Sequence, residues 1–151
     1  MRYREWSLKD LEKNGRRTPE EQRLAWLQIS EDFERIQIIN NDLTEQRAIS
    51  PKPDARGIEK SVAEIHKRAN RLQTNLMFPK KDPEVSERPE NDYQVNTLLS
   101  SLSGLIRRFI KNPVFGEVEV LDLKAEESAK NDLQCIIELS ELVKKKVRSQ
   151  K

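Results

Sequence analysis

The chain has 151 residues, enough for one domain with one core, and its formal charge is 28 − 26 = +2 with both signs interleaved. A balance so close to neutral excludes the strong single-sign field that would steer a protein to nucleic acid or to an anionic membrane. Only 35% of residues are hydrophobic against 36% charged, but four glycines and 5% aromatics disfavour a sandwich or barrel, and the apolar residues fall in narrow helical stripes. The composition therefore predicts an all-α fold.

Residues 1–17 are predicted to hold a short N-terminal helix. Ser7 is its cap, Asp10 completes a box-like pattern, Trp6 can staple onto Leu11, and Asn14-Gly15 ends it. This start lacks the apolar stretch of a signal peptide, and no run reaches the roughly 20 apolar residues of a membrane span. Thr18-Pro19-Glu20-Glu21 is a stronger helix start, with Thr18 as N-cap, Pro19 at the first helical position and Glu21 closing a capping box. That helix is expected to reach about Arg47 on a seam of Trp26, Ile29, Phe33, Ile36, Asn40 and Leu43.

Ser50-Pro51-Lys52-Pro53-Asp54 breaks it, since neither proline continues a helix. The second helix carries Ile58, Val62, Ile65, Ala69, Leu72 and Leu76 at 4-3-4-3-4 spacing and is predicted to stop near Phe78. Residues 18–78 thus read as a helical hairpin. A linker, 79–91, has three prolines and seven charged residues between Pro79 and Glu90 and no apolar period.

A second hairpin occupies 92–151. Asn91 or Asp92 caps a third helix with Val95, Leu98, Leu99, Leu102, Leu105, Ile106, Phe109 and Ile110 on its apolar face, and Asn112-Pro113 ends it. Val114 to Leu121 alternates like an extended segment, but with no second strand to pair it reads as a loop folding Phe115 over the bundle end. Asp122 caps a fourth helix with a seam of Ala129, Leu133, Ile136, Ser140, Val143 and Val147, and its last turns carry Lys144, Lys145, Lys146 and Arg148. Four seams joined by short loops predict a four-helix antiparallel bundle in up-down-up-down order. The rival is a pair of long hairpins that pack only in an oligomer. No internal repeat indicates a solenoid.

The sequence carries no catalytic signature. The four glycines are isolated, so there is neither a phosphate-cradling loop nor a nucleophile elbow. One histidine, His66, and one cysteine, Cys135, cannot build a di-iron, multi-histidine or Cys-rich zinc centre. Both occupy mid-helix positions, where no turn supplies an oxyanion hole for a Cys–His pair. The expectation is a non-enzymatic protein without cofactor or metal.

His66 raises one alternative, because phosphotransfer domains are four-helix bundles with a reactive histidine on a helix face. Those domains favour a lysine three residues on and a small residue next; here Ala69 and Asn70 follow, and the proline of kinase dimerisation helices, five residues on, is replaced by Arg71. A second alternative is a nucleic-acid accessory protein using Lys60, Lys67, Arg68 and Arg71 on the outer face of the second helix. Glu64 sits among them, and no aromatics interleave to stack on bases.

The apolar residues left outside the seams are candidates for partner binding. At 100° per residue Leu24, Leu27 and Ile38 point to the back of the first long helix, and Cys135, Leu139 and Leu142 form a short stripe on the fourth. The N-terminal helix could cover the first group within the chain; a protein partner or a second copy is the other reading. Asn40 and Ser140 are polar seam positions, Asn40 suiting a helix end or a wet gap. The expected role is a protein-interaction or structural module in the cytoplasm, the single cysteine fitting a reducing compartment.

Overall fold

The structure, a computed structural model, describes residues 17–49, 54–80, 95–115 and 123–149. Four helices fill most of this: α1 (Pro19–Ile49), α2 (Ala55–Asn75), α3 (Val95–Ile110) and α4 (Leu123–Ser149), with one turn of 3-10 helix at Pro113–Phe115. They pack on one another within one chain as an all-α bundle, with no strand among the described residues. The predicted N-terminal helix, the linker beyond Lys80, and the caps at Asn91, Asp92 and Asp122 lie outside the described residues.

The helix ends follow local chemistry. Thr18 Oγ1 accepts the Glu21 amide at 3.1 Å, as the capping box requires, and the Asp54 carboxylate accepts the Arg56 amide to start α2. At the other end of α2 the Phe78 amide bonds Gln73 O and the Met77 amide bonds Thr74 O, a Schellman closure. Met77 occupies its left-handed position at φ 59°, where glycine is the usual residue. Asn112 ties the end of α3 to the start of α4, its Nδ2 donating to Ala125 O and its Oδ1 accepting the Val114 amide.

Ile58, Val62, Ile65, Ala69 and Leu72 of α2 and Leu76 at its C-cap are all buried, as are Ala129, Leu133, Ile136, Ser140, Val143 and Val147 of α4. On α3 the core positions are Leu98, Leu99, Leu102, Ile106 and Phe109, with Val95, Leu105 and Ile110 packed at the edge. Phe115 is buried over the bundle end, edge-on to Phe33 and Phe109 at 4.8 and 4.9 Å between centroids.

Side-chain contacts fix the helix directions. Residues 75, 71 and 64 of α2 meet 28, 32 and 35 of α1, and residues 73, 66 and 59 of α2 meet 134, 140 and 148 of α4. Residues 47, 44 and 33 of α1 meet 100, 103 and 109 of α3, and residue 108 of α3 and residue 112 just beyond its end meet 132 and 125 of α4. Every neighbouring pair is therefore antiparallel. The order round the bundle is α1, α2, α4, α3, and the consecutive helices α2 and α3 run in the same direction from opposite corners.

This connectivity differs from the up-down-up-down order expected from short loops. The 17 residue steps from Phe78 to Val95 can span up to roughly 56 Å when extended, whereas the 21-residue α2 is about 31 Å long, so the chain can return the length of the bundle before α3 begins. The short-loop rule holds for α1–α2 and α3–α4 and not for the linker.

Candidate functional site

The helix that departs most from its expected seam is α1. Its buried residues are Gln22, Ala25, Ile29, Asp32, Ile36, Ile39, Asn40 and Leu43, a face turned about 35° from the predicted seam, with Trp26 and Phe33 partly buried at its edge. Asn40 is buried well inside α1, neither at a helix end nor in an exposed gap.

The rotated face includes a charged residue as well as the apolar Ala25 and Ile39. Asp32 is fully buried between α1 and α2, where Arg71 holds it with Nε at 2.8 Å and a terminal nitrogen at 2.7 Å, and Arg68 adds a third bond at 3.0 Å. Arg68 also reaches Glu64 and Glu31 at 3.1 Å, and Arg71 reaches Glu31 at 3.4 Å. Hydrogen bonding to Arg68, with the charge of Arg71, holds the Glu31 carboxyl below its usual range. Arg71 is held protonated chiefly by Asp32, and at Arg68 the bonds it donates to Glu31, Glu64 and Asp32 outweigh its desolvation.

Two of the four side chains assigned to a basic outer stripe, Arg68 and Arg71, are thus committed to carboxylates, while Lys60 and Lys67 are exposed. Across the bundle Arg108 clasps the buried Asp132 through Nε and a terminal nitrogen, and Arg148 pairs with Glu59 at 2.8 Å. The carboxylates stand at the sequence-distant ends of these pairs, which hid them from a reading of each helix alone.

His66 lies between α2 and α4. Its Nδ1 is 3.1 Å from both Ile137 O and Ser140 Oγ, and the Ser140 hydroxyl donates to Ile137 O at 2.9 Å. A carbonyl only accepts, so the neutral ring carries its proton on Nδ1, and Nε2 accepts from Asn70 Nδ2 at 3.1 Å. Glu141 stands 3.5 Å from Nε2 and is held below the usual carboxylate range, burial being outweighed by Lys144, His66 and Lys145. Both ring nitrogens are engaged inside the fold.

Of the residues singled out for partner binding, those on α4 are largely interior. Leu139 belongs to the core, Leu142 packs against it, and Cys135 is half-buried. Because α4 touches α2 on one side and α3 on the other, its covered arc is wider than one heptad seam.

The α1 group is different. Leu24, Leu27 and Ile38 are 57%, 58% and 39% exposed, and Ile49, which the sequence reading passed over, is 78% exposed. All four lie on one line of α1: Glu20, Leu24, Leu27, Glu31, Glu34, Ile38, Asp42, Glu45 and Ile49, every position exposed, at 4-3-4-3-4-4-3-4 spacing. The line is centred about 150° from the buried face. Its polar members are all acidic; Arg23 and Arg35 border it, Arg35 leaning towards Glu64 of α2 at 3.9 Å. The signal that finds this stripe is the same helical period, followed through the charged residues as well as the apolar ones.

No cluster of three metal-ligating side chains occurs among the described residues, and no helix among them is long and apolar enough to cross a membrane. Comparison with models of protein families, with curated proteins and with solved structures finds no match for this chain.

Proposed function

We propose that this chain is a non-enzymatic helical module that binds another protein through the outer face of α1. The observation that carries the reading is the solvent-facing line from Glu20 to Ile49, which places four large apolar side chains on the outside of a helix whose other face is already buried. A helix needs one apolar face to join its own bundle. A second one, on the same period, fits a second packing surface.

The rest of the molecule supports a scaffold role. The arginine–aspartate pairs fix α1 to α2 and α3 to α4, and the aromatic cluster of Phe33, Phe109 and Phe115 joins α1 to α3. A rigid support lowers the entropy lost when a partner docks. A cytoplasmic setting is part of the proposal and is supported by the single cysteine.

The test is site-directed photo-crosslinking in cells with a photoreactive residue at position 27 or, for comparison, at 67 on the outer face of α2. The proposal expects a discrete adduct from position 27 only, and expects the crosslinked protein, purified separately, to bind the native chain and to fail with Leu27→Asp. Equal labelling from both positions, or binding unaffected by Leu27→Asp, would reject it.

A further inference from the structure

The stripe on α1 also specifies the chemistry of its partner. Resting on the reading of α1 as a docking face, we infer that the segment it receives is a basic amphipathic helix, with apolar side chains at 3-4 spacing interleaved with lysine or arginine.

Charge complementarity is the first ground. Between Leu24 and Ile49 the exposed line carries Glu31, Glu34, Asp42 and Glu45 and no base. A helix packed along it sets its own flanking residues against these carboxylates, and only cations there gain attraction instead of like-charge repulsion. Arg68 and Arg71 partly neutralise Glu31, but among the described residues Glu34, Asp42 and Glu45 form no ion pair to another helix. These three flank Ile38, so the attraction and the apolar contact fall on the same part of the stripe.

Length is the second ground. From Glu20 to Ile49 the line runs 29 residue steps, about 44 Å at 1.5 Å per residue. As the single helix that the sequence predicts, residues 1–16 would reach about 24 Å, little more than half of the line. The face does not suit a second copy of itself either, because two such stripes laid together oppose carboxylates to carboxylates. An anionic lipid surface is disfavoured for the same reason.

The experiment uses the full chain and three synthetic helical peptides of about four heptads with identical leucine positions, flanked by lysine, by glutamine or by glutamate. Binding is followed by fluorescence anisotropy at low and at physiological salt. The inference expects the Leu/Lys peptide to bind at least tenfold more tightly than the Leu/Gln peptide, and the Leu/Glu peptide not to bind.

Two charge-matched variants separate an apolar docking site from diffuse attraction. Leu27→Asp and Leu123→Asp each add one negative charge at an exposed leucine, the first on the stripe and the second at the start of α4. Expected is a tenfold loss of Leu/Lys binding for Leu27→Asp, despite the added charge, and no loss for Leu123→Asp. Glu34→Lys with Asp42→Lys should abolish the preference for lysine over glutamine.

The outcomes divide cleanly. If Leu/Gln binds as tightly as Leu/Lys and both are lost in Leu27→Asp, the docking face stands and the basic partner is wrong. If no peptide binds, or Leu27→Asp and Leu123→Asp behave alike, the docking reading itself falls. A Trp6→Ala chain that binds Leu/Lys ten times more tightly would show residues 1–16 as the occupant, and a dimer dissolved by Leu27→Asp would show a second copy. Either result overturns the inference.

Discussion

Replacing Asp32 by alanine removes the acceptor of three charge-assisted hydrogen bonds, from Arg68 at 3.0 Å and from Arg71 at 2.8 and 2.7 Å. Breaking a buried pair by deleting one partner costs about 3–5 kcal/mol when the remaining charge stays buried. Here the arginine side chains are 19% and 38% exposed and keep Glu31 and Glu64 within reach, so neither is stranded. The expected cost of Asp32→Ala is therefore about 2–3 kcal/mol. With a denaturant slope of about 2 kcal/mol per molar urea, the unfolding midpoint should fall by about 1–1.5 M, followed by circular dichroism. About 0.5 M salt should leave most of this loss in place, because Asp32 is shielded from solvent. A shift equivalent to less than about 0.5 kcal/mol, the scale of an ordinary surface substitution, would mean that Asp32 is not held between α1 and α2.

Three further outcomes follow from the same structure. Ile65→Asp places an unpaired charge where no side-chain area is exposed and should cost about 4 kcal/mol; a near-native melting temperature would show the α2 seam to be wrongly placed. Met77→Gly relieves a left-handed backbone position at φ 59° and should stabilise by about 1 kcal/mol, raising the melting temperature by a few degrees in calorimetry. Glu31 and Glu141 have carboxyls held lower in the fold than in the unfolded chain, so the folded state binds fewer protons there. Their stabilisation is complete above the ordinary carboxylate value of about 4.3 and is lost as pH falls through the lower folded values. Urea midpoints across that range should fall less steeply in Glu31→Gln with Glu141→Gln than in the native chain.

The seams of α2 and α4 were legible, because every apolar residue predicted on the two lines is buried, although α4 also buries Asp132 and Leu139 beyond its line. On α1 the pattern misled. Asp32 lies on the buried side, where Arg68 and Arg71, 36 and 39 residues further on, satisfy its charge, and no pattern within one helix shows a partner at that distance. Leu139 looked like a surface residue because a single seam describes one packing partner, whereas α4 has two. Helix order was equally hidden, since apolar stripes state that a face is covered and not by which helix. What the sequence did expose was Leu24, Leu27 and Ile38 as residues outside the α1 seam. Ile49 and the acidic members of the same line went unnoticed because charged positions were read as solvated surface rather than as part of a period.

The claim that α1 carries the docking face is tested most directly by residue-resolved amide shifts of the isotopically labelled chain during titration with the Leu/Lys peptide. The perturbed amides are expected to trace one line of α1, around Leu27, Glu34, Ile38, Asp42 and Glu45, with little change near His66 or on the outer side of α4. Perturbations centred on His66 and Lys67, or spread evenly over the surface, would contradict that claim.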